Sequence, residues 1–201
     1  YLVGLSIGVH LLNLVTIPAL ALVYYFKKLP KPNVFGGVVS FVCGLIILGI
    51  INSGIIPGLP SIAGKFEIFM VNNLGLPYKS GIIFFIVLFI GSIVWGIHYT
   101  HKKGLVLINT SLLSLAFILV GYSSYLMVLV RAEYNPPINE NNPDDVLSFV
   151  SYLKREQYGS RPLLYGPSFV DRQINQKRGA AMYKKQDGKY VIYDYKPEYE
   201  Y

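Results

Sequence analysis

Acidic side chains are almost missing from the first 130 of the 201 positions, where Glu67 stands alone against seven Lys and Arg. Charge as a whole is scarce: 14% of the residues are charged and 53% are hydrophobic, whereas a soluble domain carries roughly 25% charge. An ordinary soluble enzyme is thereby excluded. Cys43 is the single cysteine and lies within an apolar run, which excludes an internal disulfide and a cysteine metal cluster. P-loop, GxGxxG, HExxH and GxSxG signatures are all missing, and with them the usual signals for nucleotide, dinucleotide, zinc-protease and hydrolase chemistry. The net charge of +7 gives no nucleic-acid footprint, because from Arg131 onward eleven basic residues meet ten acids and the excess belongs to the apolar part. Tyr1 opens inside an apolar run that has neither Met nor a charged start, so it reads as an internal position of a longer protein.

Long apolar runs are what the chain has instead. About 20 apolar residues cross a hydrocarbon core of about 30 Å, and Leu2–Phe26, Val34–Ile56, Gly81–Tyr99 and Leu105–Val130 meet that length. The expected fold is an α-helical polytopic membrane protein of four spans, residues 1–130, followed by a small α+β extracytoplasmic region, residues 131–201, that reads as incomplete. Lys27, Lys28 and Lys31 flank the first turn and Lys102 and Lys103 the third, which predicts both turns cytoplasmic and the 57–80 loop and the tail outside. The expected location is a bacterial inner membrane with a periplasmic tail. Within the loop, Ile62, Phe66, Phe69 and Met70 have helical spacing, which suggests a short interfacial helix bracketed by Pro57, Pro60 and Pro77. Gly4 and Gly8 form a close-packing pair, and Pro18 should loosen the first helix one turn upstream.

The tail changes character. Asn142-Pro143-Asp144-Asp145 reads as a helix opening with Asn142 as the cap, leading into a helix of about four turns that closes at Gly159. Asp187-Gly188 between Met182–Gln186 and Lys189–Asp194 is a hairpin signal.

Polar groups inside a membrane are costly and therefore worth testing as sites. Measured back from Lys27, His10 falls near the outer boundary of the hydrocarbon core, and Asn13 shares its face. The pair suits a polar headgroup or phosphate, or else an interhelical hydrogen bond, and is expected to face the bundle. At the mouth of the fourth span, Arg131 suits bidentate contact with a lipid phosphate, and Asn135, Asn139, Glu140 and Asn142 follow around Pro136-Pro137. Those residues suit recognition of a sugar or phosphate, or an irregular connector. No buried acid falls within the four runs, which argues against a proton-coupled carrier.

Two stretches resemble a known family. Gly4 through Asn13 with Ile17-Pro18-Ala19-Leu20 and Tyr24 through Lys28 looks like a middle transmembrane segment of domain-of-unknown-function family 2723. Arg131–Pro143, Tyr152–Gly159 and Arg161–Pro167 are similar to the junction where that family's membrane domain meets its outer region. These bacterial proteins resemble transmembrane protein O-mannosyltransferases of the glycosyltransferase C class. The resemblance implies transfer of a sugar from a polyprenyl-phosphate donor to a protein hydroxyl; no cofactor and no metal-binding residues are predicted. It also implies the bilayer, the lipid-linked sugar and a protein acceptor or further subunits as partners. Arg131 and His10 fit the stabilisation of a departing phosphate. The family's acidic Asp-x-Gly-Glu-Phe motif does not occur in these residues, so the catalytic carboxylate is unassigned. A non-catalytic membrane scaffold with a protein-binding tail is the alternative reading, and a small-solute carrier the third.

Overall fold

The structure is a computed structural model that describes residues 1–156 and 175–200, the side chains of 198–200 excepted. Helices dominate: α1 (Leu2–Val9), α2 (Thr16–Lys28), α3 (Val34–Gly49), α4 (Gly58–Leu74), α5 (Ser80–Lys102), α6 (Val106–Tyr122), α7 (Met127–Glu133) and α8 (Val146–Leu153). Two strands follow, β1 (Asn175–Gln186) and β2 (Lys189–Glu200), paired antiparallel. Four helical stretches are long and apolar enough to cross a membrane: Leu11–Lys28, Val34–Leu74, Ser80–Lys102 and Val106–Glu133. The expected class, a four-span helical membrane protein with a small α+β tail, is what folds.

The first run is not the single helix expected over Leu2–Phe26. α1 stops at His10, whose backbone is extended, and a 3-10 turn over Leu11–Val15 leads into α2. The cause is local. Pro18 has no N–H to give to the Leu14 carbonyl and its ring would crowd that group, so an α-helix is not carried through this turn. His10 Nδ1 accepts the Leu12 N–H at 3.2 Å and caps the new segment. α1 lies alongside α6 in the same direction, since a Cβ on Gly4 would meet the Ile118 carbonyl at 2.0 Å and one on Gly8 would meet Ser124 Oγ at 3.0 Å. α2 lies antiparallel on α3, with Ser40 Oγ bonded to the Ala21 carbonyl and the Tyr25 phenol bonded to the Asn33 carbonyl. The close-packing role expected of Gly4 and Gly8 is thus realised against the fourth span.

α3 passes through a π turn (Ile50–Ile55) before α4 begins. Pro57 offers no N–H to the Ser53 carbonyl, so the ladder slips by one residue, and Ile56 N bonds to Ile51 O at 3.1 Å. The buried Tyr122 phenol donates to the Ile56 carbonyl, to which Pro60 four residues on has no N–H to give, at 3.0 Å, and ties the second and fourth spans where Ile7, Leu14, Ile51, Ile55 and Ile56 pack together. Asn52 and Ser53 lie exposed on this turn. α5 and α6 form an antiparallel pair held by Asn109, whose Nδ2 donates to the Ile97 carbonyl and to Thr100 Oγ1. The Lys79–Glu133 ion pair then sets the end of the fourth span beside the start of the third.

The expected loop helix is present as α4, and both tail elements pack on it. Gly64 gives way to Leu147 of α8, and the Phe66 ring lies against Phe84 and Phe85 of α5. α8 is shorter than expected and opens three residues later. Its cap is Asp145, which accepts from Leu147 N and Ser148 N while Ser148 Oγ closes a capping box. Asn142, expected as the cap, is left-handed at φ 38° and bonds within the preceding loop. Left-handed Arg155 follows the last turn of α8, and the Gly159 cap lies outside the described residues. The hairpin turns at Asp187-Gly188 with positive φ at both, the type I′ geometry that matches strand twist. Its strands run 12 residues each, well beyond the expected segments.

Candidate functional site

α4 carries a buried stripe of Ala63, Gly64, Glu67 and Val71, spaced as one helical face. Glu67 is therefore driven into the interior with its apolar neighbours and is 0% exposed. A carboxylate there must find donors, and the first turn of α5 supplies them. Oε1 accepts from Lys79 N at 2.6 Å, and Oε2 accepts from Gly81 N at 3.0 Å and Ile82 N at 3.2 Å. These amides have no partner within their own helix, and the dipole there favours a negative charge. Gly81 is required by this approach, because a Cβ would stand 2.4 Å from Glu67 Cα.

The fourth donor comes from the tail. Tyr190 of β2 is 5% exposed, and its phenol donates to Glu67 Oε1 at 3.1 Å. Asn72 grips the same residue by its backbone: Nδ2 donates to Tyr190 O and Oδ1 accepts from Tyr190 N, both at 2.8 Å. Tyr78 donates to Lys189 O at 3.0 Å and sets its ring edge-on to that of Tyr190, centroids 5.2 Å apart. Lys185 of β1 lies over the Tyr78 ring and pairs with Asp145, the cap of α8. Burial pushes the Tyr190 phenol above the ordinary tyrosine range, the Glu67 charge pushes it further, and Asp145 and Tyr78 act in the same sense. Farther along the ribbon, Lys196 bonds to Ser151 of α8 and pairs with Glu156 just beyond that helix.

The residues singled out from the sequence lie elsewhere. His10 and Asn13 are exposed on this chain rather than turned into its bundle. His10 spends Nδ1 on the cap, and the Asn13 carbonyl receives the Thr16 hydroxyl. Arg131 projects from the last turn of α7 and is exposed. Asn135 is left-handed and ends α7 by bonding to the Ala132 carbonyl. Asn139 Nδ2 donates to the same carbonyl and to Asn142 Oδ1, so these amides shape the connector. Glu140 is exposed. Sequence reasoning missed Glu67 as a site, although the signal was present: the lone acid of the apolar part sits four residues from Ala63 and Val71 in a helical stripe.

Comparison with known proteins separates the chain's two ends. Residues 1–33, which contain α1, the His10 corner and α2, match the N-terminal domain of protein O-mannosyl-transferase TMEM260. Residues 159–201, which contain the hairpin, match a family of unknown function, DUF8416. No curated protein and no solved structure matches the chain.

Proposed function

We propose that this chain is part of a membrane-embedded sugar-transfer enzyme that takes a sugar from a polyprenyl-phosphate donor and delivers it to a protein hydroxyl. The observation that carries the reading is the likeness of residues 1–33 to the N-terminal domain of a protein O-mannosyltransferase, set on a chain with four helices fit to cross a membrane. The resemblance to family 2723 belongs to the same reading, as do a bacterial inner membrane and a tail in the periplasm. Arg131, exposed at the end of the fourth span, has the forked guanidinium suited to a lipid phosphate. His10 and Asn13, exposed at the corner between α1 and α2, supply polar groups for the same headgroup. Glu67 is not the base that orients the acceptor hydroxyl, because both its oxygens are taken by amides and the Tyr190 phenol.

The test is incubation of the intact protein in nanodiscs with polyprenyl-phosphate mannose and hydroxyl-bearing acceptor peptides, read by mass spectrometry. A hexose added to the peptide supports the reading, and unmodified peptide with intact donor sinks it. The second reading, a non-catalytic scaffold with a protein-binding tail, is favoured by one observation. The only acid of the first 130 residues is committed to holding helices and hairpin together.

A further inference from the structure

Three side chains of α4 and of the turn into α5, Glu67, Asn72 and Tyr78, engage the backbone, the phenol and the ring of Tyr190. Asn72 takes its N–H and its carbonyl, Tyr78 takes the preceding carbonyl and flanks the ring, and Glu67 takes the phenol. The Tyr190 amide and carbonyl point away from β1, since Tyr190 faces Lys185 across the ribbon yet gives both groups to Asn72. Asn72 thus stands where a neighbouring strand would, and offers one donor and one acceptor in strand-like fashion. Backbone capture of this kind is indifferent to side chain, so selectivity falls to the pocket under the ring. There the charged carboxylate accepts a hydroxyl, which a phenylalanine lacks. The other three donors to Glu67 are amides at the start of α5 and do not involve the hairpin, so the elements that shape the pocket are separate from its occupant. Beside it, the buried Ser80 hydroxyl has no partner among the described residues.

We propose that the corner between α4 and α5 is a receptor for an extended peptide segment bearing tyrosine, filled here by the hairpin's own Lys189-Tyr190 and open to a tyrosine-bearing strand of another protein when the hairpin leaves. The hairpin is then a resident ligand that masks the receptor. Nothing in this depends on sugar transfer, so either reading of the function stands or falls without it.

The probe is a fluorescent peptide of residues 186–192, with a second version in which its tyrosine is phenylalanine. Full-length chain in nanodiscs carrying Tyr190→Ala removes the phenol and ring that hold the hairpin, leaving only backbone bonds to Asn72 and Tyr78 for a peptide to displace, while keeping Glu67, Asn72 and Tyr78. Anisotropy should show this variant binding the tyrosine peptide, with the phenylalanine peptide roughly tenfold weaker, the size expected from one hydrogen bond to a charged acceptor. Adding Asn72→Ala should abolish binding, and the unaltered chain should bind weakly because its receptor is filled. Equal binding of the two peptides, indifference to Asn72→Ala, or no binding at about 1 mM peptide would overturn the proposal. Should Tyr190→Ala not fold, Tyr190→Phe serves. Excess tyrosine peptide should then speed hydrogen exchange at residues 189–191 by competition, and unchanged exchange would overturn the proposal equally.

Discussion

The Tyr190 phenol reaches Glu67 Oε1 across 3.1 Å from 123 positions away in the chain, and with the Asn72 and Tyr78 bonds to the same strand it joins the hairpin to the membrane helices. Its dependence on pH follows from the direction of the tyrosine shift. Burial and the Glu67 charge raise the phenol above its ordinary value of 10.0. A phenol that ionises later in the docked state than in the free one contributes stability that is complete below about pH 10. That contribution is lost progressively as pH rises through and beyond the free value, where a tyrosinate would face the carboxylate. Hairpin docking should therefore hold through neutral pH and fail under alkaline conditions. Hydrogen exchange at Tyr190 and Val191 as a function of pH, corrected for the intrinsic rate, checks this, with Tyr190→Phe removing the alkaline step.

The close approach of α1 to α6 makes a second prediction. A methyl at position 4 would meet the Ile118 carbonyl at 2.0 Å, whereas one at Gly91 would meet nothing within 4 Å. Gly4→Ala should cost about 1–3 kcal/mol through overpacking. Gly91→Ala should be neutral or stabilise by about 0.5–1 kcal/mol through helix propensity. Reversible unfolding in detergent distinguishes the two, and equal responses would mean that α1 does not pack on α6 as described.

The membrane class was legible because bilayer thickness dictates run length, and no tertiary detail was needed to count four spans. The hairpin was legible at Asp187-Gly188 because two adjacent positive φ angles leave a narrow choice of residues. What failed did so where a competing local bond outweighed the pattern. Pro18 and Pro57 each removed a ladder donor, and the chain answered with a 3-10 turn and a π turn that apolar periodicity does not report. Asn142-Pro143 had the composition of a helix start, yet Asp145 won because a capping box with Ser148 satisfies two donors together. β1 ran past its signal because Asn175–Ala181 lacks alternation, and pairing across the bulged ribbon carries it. Glu67 escaped because its partners at Lys79, Gly81 and Tyr190 are set by folding, although its place in the stripe was visible.

Helix directions make a sidedness prediction. The Lys79–Glu133 pair puts the ends of α7 and α5 together, and α4 carries the hairpin, so the α5–α6 turn at Lys102 lies at the opposite end of the bundle. In a Cys43→Ser background, cysteines at Lys102 and Asp187 should label from opposite sides of the membrane. Basic residues at the Lys102 end favour the cytoplasmic side for it. An impermeant thiol reagent applied to intact spheroplasts should mark Asp187→Cys and leave Lys102→Cys untouched. Reversed labelling would invert the orientation, and labelling of both from one side would break the helix arrangement itself.

Arg131 carries the prediction most specific to the sugar-transfer reading. It is exposed on the last turn of α7, two residues before the Glu133 that pairs with Lys79, so it sits at the edge of the fourth span where a lipid phosphate would lie. Its neighbours Asn135 and Asn139 are engaged in ending α7 and shaping the connector, which leaves the guanidinium as the cationic group of that edge suited to the donor. Arg131→Ala in the intact protein should weaken donor binding or turnover by roughly 1.5–3 kcal/mol, the range for hydrogen bonds to charged groups. Membrane insertion and thermal stability should be preserved, because no packing is lost at an exposed site. Arg131→Lys should recover only part of the loss, since a point charge does not reproduce the two parallel donors of the guanidinium. Full activity in Arg131→Ala would remove this residue from the donor site and leave the segment from 134 to 145 as a connector between α7 and α8.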